Sequence, residues 1–68
     1  MYFYEIAIVG QRLQPLSYTH SEELEIGTFA QVKIRNVLKE GIVLKEVEEP
    51  TFKCALITEI LAKKIAKS

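Results

Sequence analysis

The stretch "AQVKIRNVLKEGIVLKEV", residues 30–47, decides the fold of this chain. Ala30, Val32 and Ile34 alternate with polar residues, and this period of two predicts a half-buried β-strand. The following "RNVLKEG" has the composition of a turn, in which Asn36 is expected for backbone reasons. "GIVLKEV" then returns as an apolar partner strand. The stretch therefore predicts a β-hairpin.

The N-terminal run "YFYEIAIV", residues 2–9, is rich in aromatic and β-branched residues and is stopped by Gly10. Such a run predicts a strand buried on both faces, with the three aromatic residues Tyr2, Phe3 and Tyr4 packed in the core. Glu5 interrupts the apolar run, so we expect it at an edge or rim of the sheet.

A second short strand is predicted at 16–19, after a polar connection that ends at Pro15. The next segment, "SEELEIG", has the composition of a solvated turn. It ends at Gly27, a residue suited to positive φ.

The last third of the chain has two interpretations. Ile57, Leu61 and Ile65 lie four residues apart, a spacing that favours a helix. Residues 55–60 fit a final strand equally well, with a helix only from about Leu61. The expected fold is mostly β: a small antiparallel OB- or SH3-like barrel or curled sheet, over residues 1–60. Residues 61–68 are expected to form a short C-terminal helix or the start of a linker.

Composition restricts the function further. The chain has 68 residues, enough for one small domain, and nine basic side chains balance nine acidic ones. This balance gives no general attraction to nucleic acid or membrane. With one cysteine, Cys54, and one histidine, His20, the chain can close neither an internal disulfide nor a tetrahedral metal site. The apolar N-terminal run is too short to cross a bilayer, so the sequence predicts a cytoplasmic protein without membrane contact.

Catalytic motifs are missing from the sequence. It contains no phosphate-binding glycine loop, no dinucleotide fingerprint and no nucleophile elbow. Cys54 lies in an apolar segment typical of core packing. Ser17, His20 and Glu22 fall within one short polar segment with no evident oxyanion donors. We therefore expect no catalytic residue and no metal ligand in this chain.

Five pieces of the chain carry a family resemblance through their order and spacing. They are "YFYEIAIVG", "PLSY", "EELEIGTFAQVKIRN", "EGIVLKEVEEP" and "FKCALITEIL". In this order they resemble the N-terminal domain of primosomal protein N′, the PriA replication-restart helicase. No single piece is specific, and the resemblance covers most of residues 1–60.

The resemblance implies a DNA-binding module that recognises the 3′ end of the nascent leading strand at a stalled fork. In that family the terminal nucleotide lies in a pocket formed by an "fDY" turn, the glycine of a "PFG" segment and a later lysine. Matched position by position, these features fall on Leu16, Ser17 and Tyr18, on Arg35 with Asn36 next to it, and on Lys53.

Three of these positions depart from the family pattern. Ser17 replaces an aspartate and accepts a hydrogen bond without the charge that strengthens it. Leu16 replaces an aromatic residue, and Arg35 replaces a glycine and offers a phosphate contact. Tyr18 and Lys53 are kept.

The resemblance also implies partners and cofactors. The partners are single-stranded or forked DNA with a free 3′ end and, through the parent helicase, other replication-restart proteins. The motor domains and the zinc-binding segment of the family have no counterpart in these 68 residues. ATP, zinc and helicase activity are therefore expected only in the parent protein. A neutral domain suits a pocket for one nucleotide better than a basic strand-coating track, and we expect its affinity in isolation to be weak, no better than about micromolar.

The rival interpretation is a small β-barrel that binds a protein partner through a strand edge and does not bind nucleic acid. The two differ in where Tyr18 and Lys53 point. Convergence of both with Ser17 on one concave patch favours the nucleotide pocket, and opposite faces favour the interaction module. A third possibility, a standalone enzyme, needs contact between Cys54 and His20.

Overall fold

The computed structural model describes residues 1–12 and 14–62. They form one curled, six-stranded sheet that resembles half of a barrel. The strands are β1 (Tyr2–Ile8), β2 (Leu16–His20), β3 (Phe29–Ile34), β4 (Val37–Val47), β5 (Ala55–Leu56) and β6 (Glu59–Ala62). Their order across the sheet is β5-β2-β1-β4-β3-β6, and each neighbouring pair is antiparallel except β2 with β5. The mostly β, OB-like fold expected from the sequence is confirmed.

The core lies on the concave face of the sheet. Because side chains alternate along a strand, β1 turns every second residue inward. The other strands and one connection add residues to the same cluster. The buried hydrophobic residues are Tyr4, Ile6, Ile8, Tyr18, Ala30, Val32, Val43 and Ile57.

The prediction that β1 is buried on both faces was wrong. Only its inward face is fully buried, and the outward residues, including Phe3 and Glu5, are half-buried. Tyr2 is also half-buried, whereas Tyr4 is fully buried as expected. Glu5 does not lie at an edge, because β1 has β2 on one side and β4 on the other.

A β-bulge curls the sheet. On β4 the register with β1 shifts between Lys45, opposite Glu5, and Val43, opposite Ile6. Leu44 is the extra residue and is exposed. Bulges bend the strand and increase its twist, which is consistent with the curled shape of the sheet.

The segment 55–62 joins the two edges of the sheet. β5 pairs with β2, and two residues later β6 pairs with β3. Between them the backbone N–H of Ile57 donates to the Thr19 carbonyl at 3.0 Å, and that of Thr58 to the Gln31 carbonyl at 2.8 Å. The same short segment therefore satisfies open backbone groups on both sides of the curled sheet.

The helix expected from about Leu61 does not begin there, because Leu61 and Ala62 belong to β6. Register shifts by one residue between Ile60, opposite Ala30, and Ala62, opposite Phe29, so Leu61 is the bulged residue. The hydrogen bonds that β6 forms with β3 determine the conformation of this segment, although the local four-residue spacing of its apolar residues favours a helix. Residues 63–68 of that prediction lie outside the described residues.

Candidate nucleic-acid interface

The pairing of β2 with β5 brings part of the predicted site together. Ala55 of β5 lies beside Tyr18 of β2, and the two strands run parallel. Lys53 comes two residues before Ala55, as Leu16 comes two residues before Tyr18. Lys53 is exposed and lies just outside the two-residue pairing of β5 with β2, and at the start of β2 Leu16 is exposed and Ser17 is half-buried.

Tyr18 does not share this surface. Its side chain is 4 % exposed and belongs to the core. Burial raises the pKa of its phenol above the ordinary 10.0, because the core disfavours the charged form. Ser17 precedes it on the strand and so points to the opposite face. Tyr18, Ser17 and Lys53 therefore do not converge on one surface patch, and the ring of Tyr18 packs in the core beneath β2.

Arg35 and Asn36 lie at a different place, the tip of the β3–β4 hairpin. Ile34 pairs with Val37, which leaves a two-residue turn, and its residues have φ of 52° and 65°. A two-residue hairpin turn whose twist matches that of the flanking strands requires positive φ at both of its residues. Only β1 lies between this hairpin and β2, and the turn is far from Leu16 along the strands: Val43 of β4 is level with Leu16, and Val37 at the turn is six residues, about 20 Å, further along β4.

The structure adds Glu5 to the candidate site. Glu5 lies directly opposite Ser17 on the outward face, and its other neighbour is Lys45 on β4. Directly opposed residues have Cβ atoms about 4.5–5.5 Å apart, within reach of one small ligand group. A carboxylate within an otherwise apolar run was the sequence feature that could have identified Glu5.

Charge is separated along the strands although the whole chain is neutral. One half of the sheet, at the end of β1, carries five cations and two carboxylates; the other half, at the start of β1, carries six carboxylates, and between the two halves Glu5 lies opposite Lys45. We call these halves the cationic half and the acidic half. The cationic half holds Arg12, Lys33, Arg35, Lys39, Lys53, Glu40 and Glu59, and the acidic half holds Glu22, Glu23, Glu25, Glu46, Glu48 and Glu49.

Three surface cavities lie in or beside the acidic half. Their volumes are about 540, 680 and 280 Å³. Their carboxylates repel phosphate, so these cavities do not suit nucleic acid. The first is lined by Met1, Tyr2, Phe3, Glu46, Val47, Glu48 and Glu49; the others by Glu22, Glu23, Leu24, Glu25, Ile26, Thr28, Glu46 and Ile60.

Other chemistry was also considered within the described part of the chain. No group of three or more histidine, cysteine or acidic side chains there is placed to hold a metal ion. Over residues 1–12 and 14–62 no helix is long and apolar enough to cross a membrane. The His20 ring accepts a hydrogen bond at Nδ1 from the Glu22 backbone N–H, at 3.2 Å, which fixes the turn after β2.

A comparison with known proteins finds sequence similarity to a protein that has an established name. Over 54 residues the chain is 33% identical to the replication restart protein PriA of two Helicobacter pylori strains. The matched stretch is similar to one region of that protein. It makes up 79% of this chain but only 9% of the relatives' length. No protein-family model and no solved structure matches the chain.

Proposed function

We propose that this chain is a DNA-binding module for replication restart, which recognises the 3′ end of a nascent strand at a stalled fork. The similarity to a replication restart protein supports the process. The observation that supports DNA binding is the charge separation, because the candidate residues Lys53 and Arg35 are cations of the cationic half. A phosphate backbone approaching the acidic half is repelled, so the module presents only one half to DNA.

Recognition of the end uses the paired strands β1 and β2. The 3′-hydroxyl donates to the Glu5 carboxylate and to Ser17, which lies opposite Glu5. A hydrogen bond to a charged acceptor is about twice as strong as a neutral one, so Glu5 supplies the charge that Ser17 lacks. Lys53 contacts the preceding phosphate, whereas Leu16 lies opposite Ile6 on the other face of β2 and does not face the pair of Glu5 and Ser17. A 3′-phosphate is rejected, because its negative charge meets the same carboxylate.

The rest of the proposed role belongs to a longer parent protein. There the module orients an ATP-dependent helicase of the PriA type on the fork, beside other replication-restart proteins. ATP hydrolysis and zinc binding are assigned to other domains of that parent, and this chain acts without cofactor in the cytoplasm.

The test is binding of fluorescent single strands that differ only at the terminus. The strands carry a 3′-hydroxyl, a 3′-phosphate, or a blocked 3′ end with the 5′ end exposed. We expect a preference of about tenfold for the 3′-hydroxyl, the difference between a charged and a neutral hydrogen bond. Glu5→Gln should abolish the preference while preserving shape, and Lys53→Ala should weaken binding to the 3′-hydroxyl strand.

Lys33→Ala is the matched control, because it removes a lysine from the hairpin and leaves the end site intact. It should leave the ratio between the 3′-hydroxyl and 3′-phosphate strands unchanged. Equal binding of all three strands by the unaltered protein would contradict end recognition. A protein-interaction module would then be the better interpretation of the fold.

A further inference from the structure

Phe52 is the exposed aromatic side chain of this domain. The chain has three tyrosines, three phenylalanines and no tryptophan, and all six aromatic residues lie within residues 1–12 and 14–62. Phe52 is 62% exposed. Of the described aromatic rings, it is therefore the one that offers most of its surface to a ligand. The other five are buried or half-buried: Tyr2, Phe3, Tyr4, Tyr18 and Phe29.

Phe52 lies in the connection between β4 and β5, directly before Lys53. Ala55 of β5 pairs with Tyr18 of β2, and Phe52 comes three residues before Ala55. Three residues span at most about 11 Å and paired strands lie about 5 Å apart, so the Cα atoms of Phe52 and Tyr18 are within about 16 Å of each other. Ser17, part of the proposed end site, is the neighbour of Tyr18 in the chain. Phe52 is therefore close enough to reach a nucleotide bound at that site.

The proposed end site has contacts for the hydroxyl and the phosphate of a terminal nucleotide, but none for its base. Every base has a π-face, and an aromatic side chain stacked on that face contributes about 1–3 kcal/mol. A neighbouring cation adds to the affinity by neutralising a phosphate. Phe52 followed by Lys53 therefore supplies an aromatic surface for a base and a charge for the adjoining phosphate.

The number of exposed rings limits the length of DNA that the domain can hold. Proteins that coat single strands stack successive bases on several aromatic side chains along a basic groove. The described residues present one exposed ring on a neutral chain. One ring serves one base, which fits a strand end better than a continuous track.

We infer that the ring of Phe52 stacks on the base of the 3′-terminal nucleotide, beside the phosphate contact of Lys53. This inference rests on the proposed function for DNA as the ligand and for the position of the strand end. It adds a residue that holds the base itself. Because stacking reads no hydrogen-bond pattern, binding of the end tolerates any of the four bases.

The experiment uses the whole chain and three single strands labelled at the 5′ end. One strand has a normal 3′-terminal nucleotide with a free hydroxyl. The second has the same hydroxyl on an abasic terminal nucleotide, and the third carries a 3′-phosphate. Binding is measured by anisotropy for the unaltered chain and for Phe52→Ala, Phe52→Tyr and Phe52→Leu.

The matched control is Leu56→Ala, because Leu56 is also a large apolar residue that is 62% exposed and lies four residues further along the chain. Phe52→Ala should weaken binding of the normal strand by about tenfold, within the range for one stacked base. It should change binding of the abasic strand by less than about twofold. Phe52→Tyr should bind as the unaltered chain does, whereas Phe52→Leu, which is apolar but has no π-face, should lose most of the effect. Leu56→Ala should have none, and thermal melting checks that each variant is folded.

The outcomes separate this inference from the proposed function. Equal loss on the normal and abasic strands, full binding by Phe52→Leu, or an equal loss in Leu56→Ala overturns base stacking by Phe52. If the 3′-hydroxyl strand is still preferred over the 3′-phosphate strand, the proposed function stands without it. A loss in Phe52→Ala that depends on the terminal base, without any preference for the 3′-hydroxyl, keeps the stacking and overturns recognition of the hydroxyl. Self-association that Phe52→Ala abolishes, in place of base stacking, would assign the ring to a protein contact.

Discussion

Replacing Gly41 by alanine tests how closely β4 packs against β1. Gly41 lies opposite Ile8 on β1 and Ala30 on β3, at the centre of the sheet. A Cβ built there overlaps Cγ2 of Ile6 and lies 3.1 Å from the Ala7 carbonyl oxygen. Its φ is not in the left-handed region, so the expected effect is steric and not a matter of backbone strain.

The size of the effect follows from these neighbours. Ile6 is fully buried, so its methyl group cannot swing into solvent to make room. Inserting one methyl group into a closed core costs about 1–3 kcal/mol. A core of this size supplies roughly 3–5 kcal/mol in total, so the loss is a large share. Gly41→Ala should lower the melting temperature by about 5–20 °C.

Urea unfolding of four proteins identifies the overlapping partner: the unaltered chain, Gly41→Ala, Ile6→Ala, and the double variant. Ile6→Ala alone should cost about 2–5 kcal/mol. In the double variant the overlap with Ile6 disappears, so the combined loss should be at least 0.5 kcal/mol smaller than the sum. Destabilisation by Gly41→Ala of less than about 0.5 kcal/mol, or strict additivity, would refute the packing described here.

Three further changes test other parts of the fold. Burial raises the pKa of the Tyr4 phenol above 10.0 in the folded state. The neutral phenol therefore stabilises the fold fully below pH 10.0, and this stabilisation is lost as pH rises through the raised pKa. Tyr4→Phe should flatten the resulting decline in melting temperature at alkaline pH. The same variant loses the acceptor of the Leu24 N–H, at 2.6 Å, and should cost about 1 kcal/mol at neutral pH in urea unfolding. At the hairpin tip, Arg35→Gly should be neutral or slightly stabilising and Arg35→Val destabilising by about 1–2 kcal/mol, because a β-branched residue resists positive φ; equal stabilities would contradict the turn. Ile57→Ala should cost about 2–5 kcal/mol because Ile57 is 6% exposed, whereas the exposed Leu56→Ala should stay within about 0.5 kcal/mol.

The hairpin was predictable from sequence because its pattern is local. The alternation of Ala30, Val32 and Ile34 identified β3, and Asn36 lies in the turn, but the turn expected over "RNVLKEG" was too long, because Val37 already pairs with Ile34 and belongs to β4. The run at the N-terminus also predicted β1 correctly, but its apolar outward residues suggested burial on both faces. Only the sheet order shows that one face of β1 lies against the core and the other is half-covered.

The last strands were not predictable in the same way. Ile57 and Leu61 suggested one side of a helix, yet Ile57 is buried and Leu61 is exposed at a bulge. Their conformation is set by hydrogen bonds to β2 and β3, which lie more than twenty residues away in the sequence. Net charge gave no indication of the two charged halves, because their separation depends on strand register. Glu5 became a candidate only when Ser17 was found opposite it.

The bridging segment 55–62 also determines when the domain can fold during synthesis. Strands β1 to β4 emerge from the ribosome first, with the backbone groups of β2 and β3 facing outward and unpaired. Only when residues 55–62 have emerged can both edges be covered, since a single short segment covers them. Until then each nascent chain carries two strand edges open to another chain. A nascent chain held with β1 to β4 outside the ribosome and residues 55–62 still inside it would therefore keep both edges open to aggregation.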